Sequence, residues 1–338
     1  VTTIAFDGAC FGDGPITGVG RSFVNALVSY AAVSDDDCVL LLPKGATIDP
    51  IANVRCVDAP RGSVRRQRQL PGLLRSLQAD ILHSAVASVP MRAPCPTIAT
   101  AHDLPWMHPD LNESGNAWRQ FATRYALRTA ARILAPSTMT KLDVKRLLGK
   151  RCPTIELVPH GTALGIAPSE SGTINRSGPF LVLGDDRPRK NLARLRAAHQ
   201  LAKQHCPGLP DIEFVGPPER YIGETEKNML LQSCRAVVHV SLFEGFGMPV
   251  LEALAFGAPV VCSDLAPHRE IAGDSALFVD PRSIKSIAAG LERIHQDAEL
   301  RWQIARLGHE RAATMQPSNT AAHWQRIHLD VITSGDTA

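Results

Sequence analysis

Ser241-Leu-Phe-Glu244-Gly-Phe-Gly-Met-Pro-Val-Leu-Glu252-Ala-Leu-Ala-Phe-Gly257 decides how this chain reads. The apolar run Ala236-Val-Val-His-Val240 leads into it and has the length and composition of a buried parallel strand. Gly245 and Gly247 then open a tight loop, and Pro249 suits the first position of a helix, where its missing N–H removes no bond. Val250, Leu251 and Leu254 fall on the inward face of that helix, and Gly257 ends it. The loop and the positive helix end form a natural anion site, to which Gly245, Phe246, Gly247 and Met248 contribute backbone. Two carboxylates share the place: Glu244 on the loop and Glu252 about one turn inside the helix. Carboxylates in contact with a phosphate would repel it, so they face neutral hydroxyls. Amide donors for a phosphate beside carboxylate acceptors for a polyol describe a sugar nucleotide. An ordinary βα unit, with a glutamate favoured by the helix dipole, accounts equally well for Glu252 alone.

A second strand-to-turn unit lies upstream. Pro179-Phe-Leu-Val-Leu-Gly184 is a buried strand, and Asp185-Asp-Arg187-Pro-Arg189-Lys190-Asn191 follows it. Two arginines and a lysine at such a turn suit a diphosphate. Asp185 and Asp186 resemble a metal pair, but the three cations after them disfavour that reading.

The first half opens with the strand Thr3-Ile-Ala-Phe6, a glycine-rich loop from Asp7 to Gly20, and a helix with Phe23, Leu27 and Tyr30 at helical spacing. That is the opening of a Rossmann-like domain. The NAD fingerprint Gly-x-Gly-x-x-Gly is absent, since Phe23 stands at its last position. Further strands are expected at Cys38–Pro43, Val54–Val57, Asp80–His83, Thr97–Thr100 and Arg132–Ala135, with a helix from Thr138 to Leu148 capped by Ser137. The triple Asp35-Asp36-Asp37 lies at the wrong end of its strand for a metal site and reads as a solvated turn. His102-Asp103 sits at the carboxyl end of a strand, where open α/β sheets bind ligands; a core histidine is the ordinary alternative.

The Glu-x7-Glu spacing of Glu244 and Glu252, inside Glu-Gly-Phe-Gly-Met-Pro, resembles the signature of the retaining family-4 glycosyltransferases of the GT-B fold. Pro188-Arg-Lys-Asn191 resembles the loop with which that family neutralises the leaving nucleotide. Gly18 to Gly20 match its glycine loop, and His102-Asp103 its His-Asp pair, whose histidine faces the donor sugar. The resemblance covers nearly the whole chain, most specifically 180–192 and 236–281. It implies an α/β protein of two Rossmann-like domains facing an inter-domain cleft. Domain boundaries are expected at 1–165 and 176–316, with the terminal helix, about 317–338, returning to the first domain. It also implies transfer of a hexose-type sugar from a nucleotide-diphosphate sugar to a hydroxyl acceptor, with no enzyme nucleophile and no metal or other cofactor. In that scheme His102, Arg189, Lys190 and Glu244 are catalytic. Gly18, Gly20, Asp103, Arg187, Gly245, Phe246, Gly247, Met248 and Glu252 bind the donor, Glu252 through its ribose. The sequence departs from the family in two places: Asp185 stands where an arginine is common, and the usual extra helix and strand before residue 223 are missing. Polysaccharide or glycolipid assembly and small-molecule glycosylation are both compatible. A nucleotide-sugar epimerase of similar fold, an NAD oxidoreductase and a catalytically dead scaffold are the rivals.

A net charge of +3 is too small to argue for nucleic acid. The basic residues are uneven, however. Arg61, Arg65, Arg66 and Arg68 crowd one segment with Leu70, Leu73, Leu74 and Arg75, a composition suited to an anionic membrane or a lipid-linked acceptor. A solvated helix face is the alternative, and Pro71-Gly72 is expected to interrupt the helix. Eight cysteines without a Cys-x-x-Cys pair suggest reduced thiols in a cytoplasmic protein, peripheral at most to the inner face of a membrane. Residues 162–178, rich in Gly, Ser and Pro, read as an inter-domain linker.

Overall fold

The computed structural model describes residues 1–338 apart from 13, 15, 112, 114, 115, 166–175, 219 and 335–338. The chain divides into two compact units. Unit 1 comprises Val1–Leu104, Gly115–Gly161 and Pro317–Ala338, and unit 2 comprises Pro105–Ser114 and Thr162–Gln316. The expected first domain was continuous over 1–165; the segment Pro105–Ser114 instead belongs to unit 2. Most of the expected linker lies outside the described residues, but its far end is tied down. Arg176 is buried and donates to the carbonyls of Leu231, Phe256 and Gly257, so that end is structural.

Unit 1 is built on seven parallel strands: β1 (Thr3–Asp7), β2 (Asp37–Pro43), β3 (Val54–Ala59), β4 (Ile81–Ser84), β5 (Thr97–Thr100), β6 (Arg132–Ala135) and β7 (Thr154–Leu157). Their order is β3-β2-β1-β4-β5-β6-β7. Near-continuous apolar runs such as Cys38–Leu42 follow from burial of both sheet faces. The covering helices include α1 (Gly18–Ala31), α2 (Ser63–Ser76), α3 (Ala117–Thr129) and α4 (Thr138–Leu148). Ser137 caps α4, its Oγ accepting from the Thr140 N–H at 3.1 Å.

The last described helix, α11 (Pro317–Thr333), completes this unit. Its Trp324, Ile327 and Val331 enter the core formed by Ile4, Phe6, Phe23, Leu27 and Tyr30. A buried polar chain crosses the same core. The Tyr30 hydroxyl donates to Asp36 at 2.6 Å and contacts His328 Nδ1 at 3.0 Å, while His328 Nε2 lies 2.9 Å from His83 Nδ1. Because Tyr30 gives its proton to Asp36, His328 must carry its own on Nδ1, and His83 donates to His328 Nε2. Asp36 thus serves the core of unit 1, and Asp37 pairs with Arg55 at 2.9 Å.

Helix α2 departs from expectation. It runs unbroken through Pro71 and Gly72. An interior proline removes one helical bond; here Pro71 is buried with Leu70 and Leu74, and packing holds the helix together. Those two leucines are fully buried, so they are core and not a membrane-inserting face.

Unit 2 holds five parallel strands: β8 (Phe180–Leu183), β9 (Ile212–Val215), β10 (Ala236–His239), β11 (Val260–Ser263) and β12 (Leu277–Val279), in the order β12-β11-β10-β8-β9. Its helices are α5 (Leu192–His205), α6 (Glu224–Ser233), α7 (Met248–Ala255), α8 (Ala266–Ala272), α9 (Ile284–Gln296) and α10 (Ala298–Ala313). Strand order reverses between β8 and β10. In open α/β sheets a crevice forms at that point, outside the carboxyl ends of the strands. Among the described residues, no helix is long and apolar enough to cross a membrane.

Candidate active site

The loops after β8 and β10 bring Arg189, Lys190 and Glu244 together at the reversal point of unit 2. After β8 the chain makes a single turn over Pro188–Lys190, and Asn191 takes a left-handed conformation at φ 63° to start α5. The Asn191 side-chain amide donates to the carbonyls of Val240 and Pro281 at 2.9 and 2.8 Å, stitching this loop to the end of β10. The Leu242 N–H donates to the Arg189 carbonyl at 2.7 Å and adds a second stitch.

Held this way, Lys190 Nζ lies 2.8 Å from Glu244 Oε1, and Arg189 Nη1 lies 3.8 Å from Glu244 Oε2. His239, the last residue of β10, places Nε2 2.9 Å from the same Oε1. Burial alone would raise the Glu244 pKa, but Lys190, His239 and Arg189 outweigh it and hold the carboxyl well below its usual range. Burial pushes His239 down, so the ring is neutral and donates its Nε2–H to Glu244. Glu113 Oε1 lies 3.3 Å from Arg189 Nε. Arg187 sits apart: exposed, its guanidinium is paired with Asp185 at 2.7 Å.

The turn into α7 is set by Gly247, whose φ of 118° disfavours any side chain. A Cβ there would also meet His268 Cδ2 at 2.9 Å. His268 is buried, donates Nδ1–H to the Ser263 carbonyl at 2.9 Å, and is pushed down to about 4 by burial and by neighbouring His239. Only Nδ1–H can bond a carbonyl oxygen, so Nδ1 is the protonated nitrogen. Gly245, Phe246 and Gly247 are buried, and Met248 begins the helix. Glu252 lies one turn further in, buried, with Oε1 3.1 Å from Lys227 Nζ. Lys227, on α6, also pairs with Glu224 at 3.0 Å.

The predicted residues of unit 1 are placed differently. Gly18 and Gly20 belong to the first turn of α1 and not to an open loop; Thr17 caps that turn, accepting from the Gly20 N–H at 3.3 Å. A Cβ on Gly20 would stand 2.8 Å from Ile16, which gives the glycine a packing reason. His102 places Nε2 2.6 Å from the Ala85 carbonyl and Nδ1 3.1 Å from His160 Nε2. The carbonyl fixes the proton on Nε2, so His160 donates to Nδ1 and both ring nitrogens are engaged inside unit 1. Burial lowers both histidines, His160 to about 3. Asp103 is half-buried beside His102.

Of the basic segment, Arg65 and Arg68 are exposed on α2, and Arg61 lies just before that helix. Arg66 is not a surface cation. It turns inward to pair with fully buried Asp7 at the end of β1. Burial raises the Asp7 pKa even though Arg66 opposes it.

Comparison with known proteins gives the family and the fold. The family model described as Glycosyltransferase Family 4 matches residues 29–165, and that described as Glycosyl transferases group 1 matches residues 219–311. The chain is a family-4 glycosyltransferase. The glycosyltransferase is 24% identical over 343 residues to O-antigen chain mannosyltransferase B of Escherichia coli, covering 84% of this chain and 88% of that one. Among solved structures it is similar to sucrose-phosphate synthase from Thermosynechococcus elongatus, with TM-score 0.78, 15% identity and coverage of 99% and 100% of the two chains. It is also similar to Anabaena HepE in complex with UDP-glucose, with TM-score 0.72, 15% identity and coverage of 98% and 100%. The fold is GT-B.

Four side chains of this glycosyltransferase's site lay beyond the sequence reading: Lys227, His239, His268 and Glu113. His239 carried one signal, a histidine ending an otherwise apolar strand five residues before Glu244. Lys227 carried none, as it is one charge among several on α6. Among the described residues no group of three or more His, Cys, Asp or Glu could hold a metal ion.

Proposed function

We propose that this glycosyltransferase moves a hexosyl group from a nucleoside-diphosphate sugar to a hydroxyl acceptor, with retention of configuration and without a divalent metal. The buried cluster of Lys190, Arg189 and Glu244 at the reversal point of unit 2 carries the reading. A glycosyl–phosphate bond breaks only if the charge growing on the departing phosphate is stabilised. Lys190 and Arg189 supply that charge from a preorganised, water-poor position, with Arg187 able to leave Asp185 and join them. Glu244 holds the two cations in place, since its carboxylate is already engaged by Lys190 and His239. At the start of α7 the Val250 N–H is taken by the Gly247 carbonyl at 2.9 Å and Pro249 has none, so the Gly247 and Met248 amides are the ones that suit donor oxygens. Glu252, with Lys227 beside it, accepts from the ribose hydroxyls. The acceptor attacks on the face the nucleotide leaves, so no protein nucleophile is needed.

A mannosyl donor and a growing surface polysaccharide or glycolipid are favoured by the similarity to O-antigen chain mannosyltransferase B. The nucleotide part is supported by HepE, a neighbour solved with UDP-glucose. Eight free cysteines fit a reducing, cytoplasmic compartment.

The test is turnover of a panel of GDP-, UDP- and dTDP-hexoses, with and without acceptor glycan, with the anomeric configuration of the product read by NMR. Retention, acceptor dependence and indifference to chelator are expected. Conversion without acceptor would point to epimerisation, inversion would remove the retaining mechanism, and loss of turnover with chelator that magnesium restores would remove metal independence.

A further inference from the structure

Unit 1 carries a surface from which carboxylates are missing. No Asp or Glu occurs at positions 59–79, 81–102 or 116–142. The fold joins these segments. The Gln67 side chain on α2 donates to the Val89 carbonyl and accepts from the Met91 N–H at 2.7 Å, while the Tyr125 hydroxyl on α3 donates to the Met91 carbonyl at 3.1 Å. Helices α2 and α3 therefore flank one loop. Arg65 and Arg68 on α2, Arg92 after the loop, and Arg119, Arg124 and Arg128 on α3 are all exposed, and none forms an ion pair among the described residues.

Helix α3 adds an apolar component. It buries Thr123, Ala126 and Leu127 against the unit. Trp118, Phe121 and Tyr125 recur at helical spacing on the side away from that face. Trp118 is 49% exposed and Phe121 52%, their rings 5.8 Å apart, and Phe121 lies 6.4 Å from Tyr125. A solvent-facing helix gains nothing from a contiguous aromatic strip in water. Aromatic rings flanked by arginines, on a helix too short to span a bilayer, match the lipid headgroup boundary, where rings bury shallowly and cations meet lipid phosphates.

We propose that α3, through Trp118 and Phe121 framed by Arg119, Arg124 and Arg128, docks unit 1 on a membrane surface rich in anionic lipid, with Arg65, Arg68 and Arg92 widening the basic frame. The anchoring helix is thus α3, because Leu70 and Leu74 of α2 are spent in the core. The docking holds whichever sugar the enzyme transfers, and failure of the donor tests leaves it standing.

Co-sedimentation of the full chain with phosphatidylcholine vesicles, with and without phosphatidylglycerol, tests this. Binding to the anionic vesicles alone is expected, weakening as salt rises. Trp118→Ser/Phe121→Ser and Arg124→Glu/Arg128→Glu should each lower the partition coefficient by about tenfold or more. Leu329→Ser, an exposed apolar position on α11, should leave it unchanged. All these positions are exposed, and circular dichroism verifies that the variants fold. Absence of pelleting with either vesicle would overturn docking, as would binding that ignores the aromatic pair. Salt-sensitive retention on immobilised polyglutamate without vesicle binding would also overturn it, in favour of an acidic protein partner.

Discussion

Lys190 and Glu244, 54 residues apart in the chain, meet through Nζ and Oε1 at 2.8 Å with both side chains about nine-tenths buried. Each comes from a loop at the carboxyl end of a strand beside the sheet's reversal point. Removing one member of a buried pair costs about 3–5 kcal/mol. Here the lower end is expected, because Arg189 and His239 still face Glu244. Lys190→Met and Glu244→Gln should each destabilise unit 2, and the double variant should be less unstable than the sum by about 0.5–3 kcal/mol. Denaturant titration of the four proteins measures this. Turnover of Lys190→Met should fall by about 10²–10³-fold, the magnitude of losing one preorganised donor; undiminished turnover would remove Lys190 from the mechanism.

Glu252 and Lys227 predict a ligand effect. Glu252→Gln should weaken binding of the nucleoside diphosphate by about 1–3 kcal/mol, the loss of a charged hydrogen bond. Lys227→Met should weaken it less, since Lys227 orients Glu252 from α6. Calorimetric titration distinguishes them. Equal affinity in wild type and Glu252→Gln would reassign the ribose to another side chain.

Stability should depend on pH in two stages. Burial holds His328 and His160 down at about 3 and His268 at about 4, whereas an unfolded histidine titrates near 6.5. Below 6.5 the unfolded chain therefore binds protons that the folded chain refuses, and stability falls as pH drops, by up to about 1.4 kcal/mol per pH unit for each such histidine. Glu244 enters next. Its folded value is depressed, so its contribution is complete above the ordinary 4.5 and is lost as pH falls through the folded value. Unfolding free energy measured from pH 7.5 to 4 should be flat above 6.5 and decline below it, with a shallower decline in His328→Gln. A flat profile down to pH 5 would contradict the buried neutral histidines.

Two glycines should resist substitution for different reasons. Gly247→Ala forces a side chain into φ 118° against His268, and about 1–3 kcal/mol of strain is expected, read as a fall in Tm. Gly216→Ala is worse, because its Cβ would stand 2.0 Å from the Gly184 carbonyl oxygen, a backbone atom that cannot swing away. Poor accumulation of folded Gly216→Ala is the expected outcome, and a Tm within a degree of wild type would show that the backbone relaxes.

Much of the architecture was legible because parallel strands covered on both faces must be apolar throughout, as Cys38–Leu42 and Ala236–Val240 are. Glu244, Glu252, Arg189 and Lys190 were legible because a tight glycine turn and a cationic strand-to-helix loop are local features. What escaped was every pairing made across the fold. Arg66 reads as one more surface cation until the sheet brings Asp7, 59 residues earlier, beneath it. Lys227 has no local signature, and its meaning comes from α7 packing beside α6. The unbroken α2 was missed because a proline's local penalty says nothing of the core that offsets it.

The contribution of α11 to unit 1 has a consequence for biosynthesis. Trp324, Ile327 and Val331 fill a core whose other walls, Ile4, Phe6 and Tyr30, are made before unit 2. All of unit 2 is synthesised between them. Domains generally fold as they leave the ribosome, amino-terminal first. Here that order is inverted: the continuous body of unit 2 can consolidate while the earlier-made sheet of unit 1 waits, its aromatic core uncovered, for α11. At about 5–20 residues per second that interval lasts on the order of ten seconds or more. Nascent chains stalled before residue 317 should therefore recruit holdase chaperones through unit 1.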